Sequence, residues 1–189
     1  MYQKVRVKDV LTEEEWILRA KQDPAAFRAL YESHFKRIFL FILYRVGDKD
    51  IAGDLAQQTF LNAIGSIQHY ELRGVPFSAW LYRIALNQCH AYFRKTKRSR
   101  TIVLEDFHLE NLADEIIGDQ LNDWKEALPD VLGKLNENDL QIIELRFFEE
   151  RSFREVGDIL GITENLAKVK TYRILERMKQ MFTLKRNEV

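Results

Sequence analysis

Apolar residues recur at intervals of three and four along nearly all of this 189-residue chain, and no segment alternates apolar with polar. That period belongs to helices with one buried face, so the expected fold class is all-α. Capping signals divide the pattern into segments. Thr12 with Glu15 makes a capping box ahead of a short helix, and Asp23 followed by Pro24 reads as an N-cap with proline at the first helical position. The second helix carries Phe27, Leu30, Tyr31, Ile38, Ile42 and Val46 at that spacing until Gly47 stops it. A third, from about Lys49, turns Ile51, Leu55, Ala56, Phe60, Ala63, Ile64 and Ile67 inward. Gln68 to Val75 breaks the pattern. A fourth helix begins near Pro76 with Phe77, Trp80, Leu81, Ile84 and Ala85, and ends in a basic run.

From about Ser99 the periodicity fades and acids accumulate. Between Glu105 and Asp123 there are seven acids and no Lys or Arg. A stretch this long is unusual for a structureless loop inside one domain, so it reads as an interdomain linker with little fixed structure. The expected organisation is therefore an N-terminal four-helix bundle over 1–98, an acidic linker over 99–122 and a second helical domain over 123–189. In that second domain a short helix holds Trp124, Leu128, Val131, Leu132 and Leu135. Asn136 caps a helix through Leu140, Ile143, Leu145 and Phe148, and Ser152 with Glu155 forms another capping box. Gly161 ends the helix opened by that box, and Thr163 caps a long final one.

Composition removes several classes of function. A hydrophobic share of 46% can bury a core, and a single cysteine, Cys89, cannot form an internal disulfide, so the expected compartment is a reducing cytoplasm. The longest strongly apolar run, Ile38 to Tyr44, is far short of the ~20 residues that span a bilayer, so no membrane insertion is expected. His34, His69, His90 and His108 are scattered, and no spacing matches a zinc site, a phosphate-cradling loop or a nucleophile elbow. No catalytic residue, metal ligand or cofactor is expected, and the protein is read as something other than an enzyme. Lys+Arg and Asp+Glu both number 29, yet the neutral total conceals blocks of opposite sign. Arg94, Lys95, Lys97, Arg98 and Arg100 crowd one stretch, and seven basic residues against one acid, Glu176, fill Lys168 to Arg186. Local charge of this kind steers a polyanion.

Ser152 to Arg173 carries the strongest motif. A helix-turn-helix needs a tiny residue where its helices cross, a glycine in the turn four residues later, and apolar residues around both. Gly157, Gly161, Val156, Leu160, Ile162 and Ala167 meet that need. On the second helix Ala167, Thr171, Ile174, Met178 and Phe182 follow the helical spacing, which leaves Lys168, Lys170 and Arg173 facing away from the core and able to enter a major groove. A helical hairpin with a solvated basic face is the plainer reading of the same segment.

Together with the four-helix domain in front, these residues resemble a bacterial RNA polymerase sigma factor of the extracytoplasmic-function type. Asp50 to Leu61 resembles that family's polymerase-binding segment. Phe77 to Asn87, running on to Arg94–Arg98, resembles its promoter-opening helix, and Leu145 to Glu149 with the helix-turn-helix resembles its upstream-element domain. The chain departs from the family's usual pattern at Gly53 and Gln58, where Glu is common, at Ala91, where Asp is common, and at Leu135-Asn136, where Leu-Pro is usual.

The resemblance implies that the first domain docks on the clamp helices of the polymerase largest subunit through Asp54, Gln57 and Gln58. It further implies that this domain captures the −10 promoter element as single strand through Tyr70, Glu71, Leu72, Arg73, Arg83, Asn87, Arg94, Lys95, Lys97 and Arg98. Tyr70 is the expected stacking residue, or else covers a helix junction. Asn87 is the expected base reader, or else a solvated amide. The second domain is implied to read the −35 element through Glu164, Asn165, Lys168, Lys170, Tyr172 and Arg173, and to meet the flap of the second-largest subunit. An anti-sigma factor is the remaining implied partner. A conventional helix-turn-helix regulator with a sensing or dimerising N-terminal bundle is the rival reading, and it has no use for the Asp50–Leu61 and Trp80–Arg98 segments.

Overall fold

In the computed structural model, residues 11–72, 74–97, 100, 103, 112 and 124–187 are described. The first domain is built from α1 (Glu13–Gln22), α2 (Phe27–Val46), α3 (Lys49–Ser66) and α4 (Phe77–Thr96). The second contains α5 (Trp124–Gly133), α6 (Glu137–Ile143), α7 (Phe153–Leu160) and α8 (Glu164–Asn187). No strand occurs among the described residues.

The expected caps set the element ends. Thr12 Oγ1 accepts from Glu15 N at 3.3 Å while the Glu15 carboxylate accepts from Thr12 N at 2.7 Å, closing the box at α1. Asp23 accepts from Ala25 N, and Pro24–Ala26 forms a 3-10 turn before α2, where the sequence pattern had the α-helix begin. Gly47, at φ 69°, ends α2 in the left-handed conformation that glycine adopts without a Cβ penalty. Asp48 then caps α3 through Asp50 N and Ile51 N, both at 3.0 Å. A 3-10 turn, Ile67–His69, leads into the loop before α4.

Ile17, Leu30, Ile38, Phe41, Ile42, Phe77, Leu81 and Tyr82 are buried in the first domain. Phe27 meets the edges of Phe60 and Phe77 at centroid separations of 6.5 and 6.4 Å, a geometry that aligns ring edge with ring face. The second domain centres on Leu128, Val131, Leu132, Ile142, Ile143, Ile174 and Met178. Pro129 lies inside α5, and α6 does not run straight through Phe148 as its periodicity predicts. It passes into a π-helical turn, Glu144–Phe148, closed by Glu149 N donating to Glu144 O at 2.9 Å.

The two domains pack directly on each other. Leu145, Val156, Ile159 and Ala167 from the second join the apolar cluster of the first, with α7 lying against α4. Most of the 99–122 linker lies outside the described residues. Three of its positions are placed: Arg100 at the junction, Val103 donating from N to Tyr44 O at 3.1 Å, and Leu112 buried in the second core. These anchors differ from the expectation of a linker with little fixed structure.

Gly157 sits where the two helices of the helix-turn-helix cross, and a Cβ there would meet Ile162 O at 2.7 Å and Glu164 N at 3.2 Å. Both neighbours are backbone, so the turn itself must shift. Gly157→Ala is expected to destabilise the protein by about 1–3 kcal/mol, read as a melting temperature lower by roughly 3–10 °C for a chain this size. Gly65→Ala, in α3 with nothing within 4 Å of the added Cβ, is the control. It should gain about 0.5–1 kcal/mol, which thermal denaturation would show.

Candidate nucleic-acid interface

The helix-turn-helix is assembled from local signals. Ser152 and Glu155 close the capping box of α7, with Glu155 N to Ser152 Oγ at 3.2 Å and Ser152 N to the Glu155 carboxylate at 3.0 Å. Gly161 turns the chain at φ 70°, and Thr163 Oγ1 accepts from Leu166 N at 3.2 Å to start α8. Ala167, Thr171, Ile174 and Met178 form the buried stripe of α8, and the Thr171 hydroxyl is satisfied by Ala167 O at 2.9 Å. The opposite side of α8 is uncovered: Glu164, Asn165, Lys168, Tyr172 and Arg173 are exposed and Lys170 is half-buried. Of the six residues expected to face the −35 element, five are thus exposed on α8 and the sixth is half-buried. Tyr172 is steadied by Phe153 at 6.1 Å between centroids, and Arg146 stacks over Phe153 at 4.9 Å.

The residues expected to face the −10 element divide. Glu71, Leu72, Asn87, Arg94, Lys95 and Lys97 are exposed around α4 and the loop before it. Arg73 and Arg98 lie outside the described residues. Tyr70 departs from its expected role as the stacking residue. It is 4% exposed, its hydroxyl donates to Val75 O at 2.8 Å, and its ring lies against Phe77 and Trp80 at 5.3 and 5.1 Å. The ring closes the helix junction, which is the structural alternative that the sequence left open, and it offers no face to a base. Arg83 is also engaged, its guanidinium donating to the Asp158 and Ile159 carbonyls at the C-terminal end of α7. Unpaired carbonyls and the negative pole of that helix attract the cation.

On α3, Asp54, Gln57 and Gln58 are exposed on one face, and Gln58 donates to Asn62 Oδ1 at 3.0 Å. Leu61 belongs with them and was missed. It is 62% exposed, and its place three and four residues after Gln58 and Gln57 was the available signal.

The junction between the domains is ionic at its centre. Arg45 of α2 and Arg100 both pair with Glu144, and Arg100 also reaches Glu137 at 3.0 Å. Arg100, grouped by sequence with the phosphate-facing cations, is therefore turned inward. Burial pushes the Arg45 guanidinium down to about 10 and that of Arg100 down to about 9, the latter also opposed by the charge of Arg45. Burial alone would raise Glu137, but Arg100, Gln141 and Arg45 hold its carboxyl below the usual value. Gln141 Nε2 lies 2.7 Å from His90 Nε2, whose pKa burial lowers. Beside this cluster the Tyr82 hydroxyl donates to Glu149 at 2.5 Å, and Arg151 stacks over the Tyr82 ring at 4.6 Å while reaching Ser78 Oγ at 3.4 Å. Burial raises the Glu149 carboxyl despite the Tyr82 hydrogen bond and the nearby charges of Arg45 and Arg151.

Nothing in this arrangement resembles a reaction centre. Cys89 is buried, and burial pushes its thiol up to about 11, so the nucleophilic thiolate is suppressed. No group of His, Cys, Asp and Glu among the described residues could hold a metal ion, and no described helix is long and apolar enough to cross a membrane. Fold and surface define a helical protein with two domains and a helix-turn-helix whose second helix is exposed on its outer side.

Comparison with known proteins agrees. Residues 30–99 match the family model for Sigma-70 region 2 and residues 131–180 match Sigma-70, region 4. The chain is 28% identical to the ECF RNA polymerase sigma factor BldN of Streptomyces coelicolor, over 88% of its own length and 64% of that protein's. It is 26% identical to the ECF RNA polymerase sigma factor SigM of Bacillus subtilis, over 81% of its length and 93% of the relative's. Among solved structures, the sigma factor RpoE in complex with the anti-sigma factor NepR from Bartonella quintana shares the fold, with a TM-score of 0.58 at 17% identity, covering 83% of this chain and 96% of that one. The chain belongs to the sigma-70 family as an RNA polymerase sigma factor of the extracytoplasmic-function type, a transcription initiation factor and not an enzyme.

Glu144→Gln leaves Arg45 and Arg100 buried without their shared anion. Removing one partner of a buried pair costs about 3–5 kcal/mol, so the domains are expected to separate while each stays helical. Dyes on Ser33→Cys and Lys179→Cys, with Cys89 buried and unreactive, should show a lower transfer efficiency in Glu144→Gln at unchanged helical circular dichroism. Equal efficiency would show that the ionic cluster does not hold the junction.

Proposed function

We propose that this chain gives core RNA polymerase its promoter choice in the cytoplasm, with α8 reading the −35 element in the major groove and α4 with the preceding loop holding the −10 element as single strand. The observation that carries the reading is the bare outer face of α8, set on a helix-turn-helix whose crossing glycine, Gly157, leaves no room for a Cβ and whose turn glycine, Gly161, takes the left-handed conformation. Asn87, Glu71 and Leu72 are the base-facing candidates, and Arg94, Lys95 and Lys97 track the phosphates. Asp54, Gln57 and Gln58, together with Leu61, form the face for the polymerase clamp helices, and the second domain meets the flap. The RpoE–NepR complex, in which a sigma factor of the same fold is bound by an anti-sigma factor, supports an anti-sigma factor as a further partner.

Geometry adds a requirement. Two promoter elements about two helical turns apart are separated by roughly 70 Å at ~34–36 Å per turn. The packed chain has α4 and α7 in direct contact through Arg83, so it cannot reach both at once. The 99–122 linker, fully extended at ~3.3–3.6 Å per residue, reaches about 80 Å. Promoter reading therefore uses an opened chain, with polymerase holding the linker extended.

Purified protein added to bacterial core polymerase on fragmented genomic DNA is expected to produce new RNA 5′ ends that share two upstream sequence blocks at fixed spacing. No new starts, with sequence-specific DNA binding retained in the absence of polymerase, would transfer the chain's role to a conventional regulator.

A further inference from the structure

The outer face of α8 is unusual for a helix that meets DNA, because three large apolar side chains stand exposed on it. Leu166, Val169 and Tyr172 are 41%, 37% and 49% exposed, and all belong to the first three turns. Taking Ala167 as the reference of the buried stripe and about 100° of rotation per residue, Thr171, Ile174 and Met178 all fall within about 40° of it. Val169 then lies about 200° round, directly opposite the core. Leu166 at about 260° and Tyr172 at about 140° flank it, with Asn165 and Arg173 between them. Lys168 and Lys170 fall at about 100° and 300°, on the two shoulders of the helix.

This division of labour matches the cross-section of a major groove. The shoulders of an inserted helix meet the groove walls, where the phosphates are, and its outermost line meets the base edges at the floor. A lysine at each shoulder, with apolar side chains interleaved with Asn165 and Arg173 between them, suits DNA better than a protein groove, which would leave the two lysines facing apolar walls. The base edge that an apolar side chain recognises in this groove is the C5-methyl of thymine, the one apolar group that B-DNA presents there.

We infer that Leu166 and Val169 select thymine by packing on its methyl groups, and that Lys168 and Lys170 contact flanking phosphates and add affinity without selecting sequence. This rests on the reading of α8 as the helix for the −35 element. It predicts an element with thymine, on either strand, at the positions under the first two turns of α8. Asn165 and Arg173 supply whatever hydrogen bonds the neighbouring bases receive.

The test uses the holoenzyme and the promoter duplex recovered by mapping its RNA starts. Replacing thymidine by deoxyuridine removes only the methyl and keeps base pairing intact. Each deoxyuridine under α8 is expected to weaken binding about fourfold, the effect of leaving one buried methyl group unmatched, while deoxyuridine elsewhere in the spacer has no effect. In Leu166→Ser/Val169→Ser the two duplexes should bind equally. Lys170→Ala should weaken both to the same degree and lower the salt slope by about one unit. Equal affinity of the wild-type holoenzyme for the two duplexes, or an element without thymine under α8, would overturn the inference while leaving the sigma reading in place. Loss of core-polymerase binding in Leu166→Ser/Val169→Ser, with deoxyuridine tolerated by the wild type, would instead make this face a protein-docking site. Recovery of no promoter at all would overturn both readings together.

Discussion

Two guanidinium groups converge on one carboxylate where the domains meet, and the packed form of the chain depends on that meeting. Arg45 from α2 and Arg100 from beyond α4 share Glu144, which the π-helical turn after α6 carries into the junction. Each buried ion surrenders several kcal/mol of hydration, which its partner recovers only where geometry and remaining hydrogen bonds are complete. Here they are incomplete, since Arg45 Nε and Nη2 find no acceptor among the described residues. The depressed values for both arginines express the same deficit, although both remain protonated at neutral pH. The cluster therefore fixes how the domains sit more than it binds them together, while Val156, Ile159 and Leu145 supply the apolar adhesion. A junction that is specific in geometry yet modest in energy is one that a large partner surface is able to open.

Closure does not cover the functional faces equally. The carbonyls at the end of α7 occupy Arg83, and Tyr82 and Ser78 of α4 are engaged by Glu149 and Arg151, so the helix proposed to hold the −10 strand is partly committed inward. The outer face of α8 and the Asp54–Leu61 face of α3 remain bare. Docking through α3 thus needs no prior rearrangement, whereas use of Arg83 on DNA requires α7 to leave. In the proposed function this orders the events: polymerase first, opening second, strand capture last.

Much of the local structure was legible because its causes are local. The capping boxes at Thr12 and Ser152 and the glycines at 47 and 161 act within a few residues of themselves, the boxes opening and the glycines ending their helices where the pattern placed them. The helix-turn-helix was legible for the same reason, since Gly157 answers to a backbone carbonyl only five residues away. What escaped depends on partners distant in sequence. Tyr70 looked like a loop aromatic free to stack until Phe77 and Trp80 enclosed it, and Arg100 looked like the end of a basic run until Glu144, 44 residues on, drew it inward. The π-turn carries no signature of its own. It stands where Glu144 must face the first domain while Ile143 and Phe147 stay in the second core.

The neutral net charge has a consequence for how a single helix-turn-helix can be useful. Non-specific affinity grows with the number of phosphates neutralised and falls steeply with salt. A protein with 29 charges of each sign, seven of the acids clustered next to its DNA-reading domain, gains less from that term than the basic run Lys168–Arg186 alone would give. Within the first three turns of α8 Lys168 and Lys170 are the cations at the shoulders, and one recognition helix covers one short element, so binding by the second domain alone is expected to be weak. Discrimination carried by an apolar floor contact does not require strong attraction to the backbone, and tolerates that weakness. In the proposed function the missing affinity comes from tethering: with α3 held on polymerase, the linker confines α8 near its element at a high effective concentration, and the second contact becomes intramolecular. Weak intrinsic binding, an openable junction and a docking face that stays exposed are in this sense one solution, in which DNA is read only by a chain that has already found its polymerase.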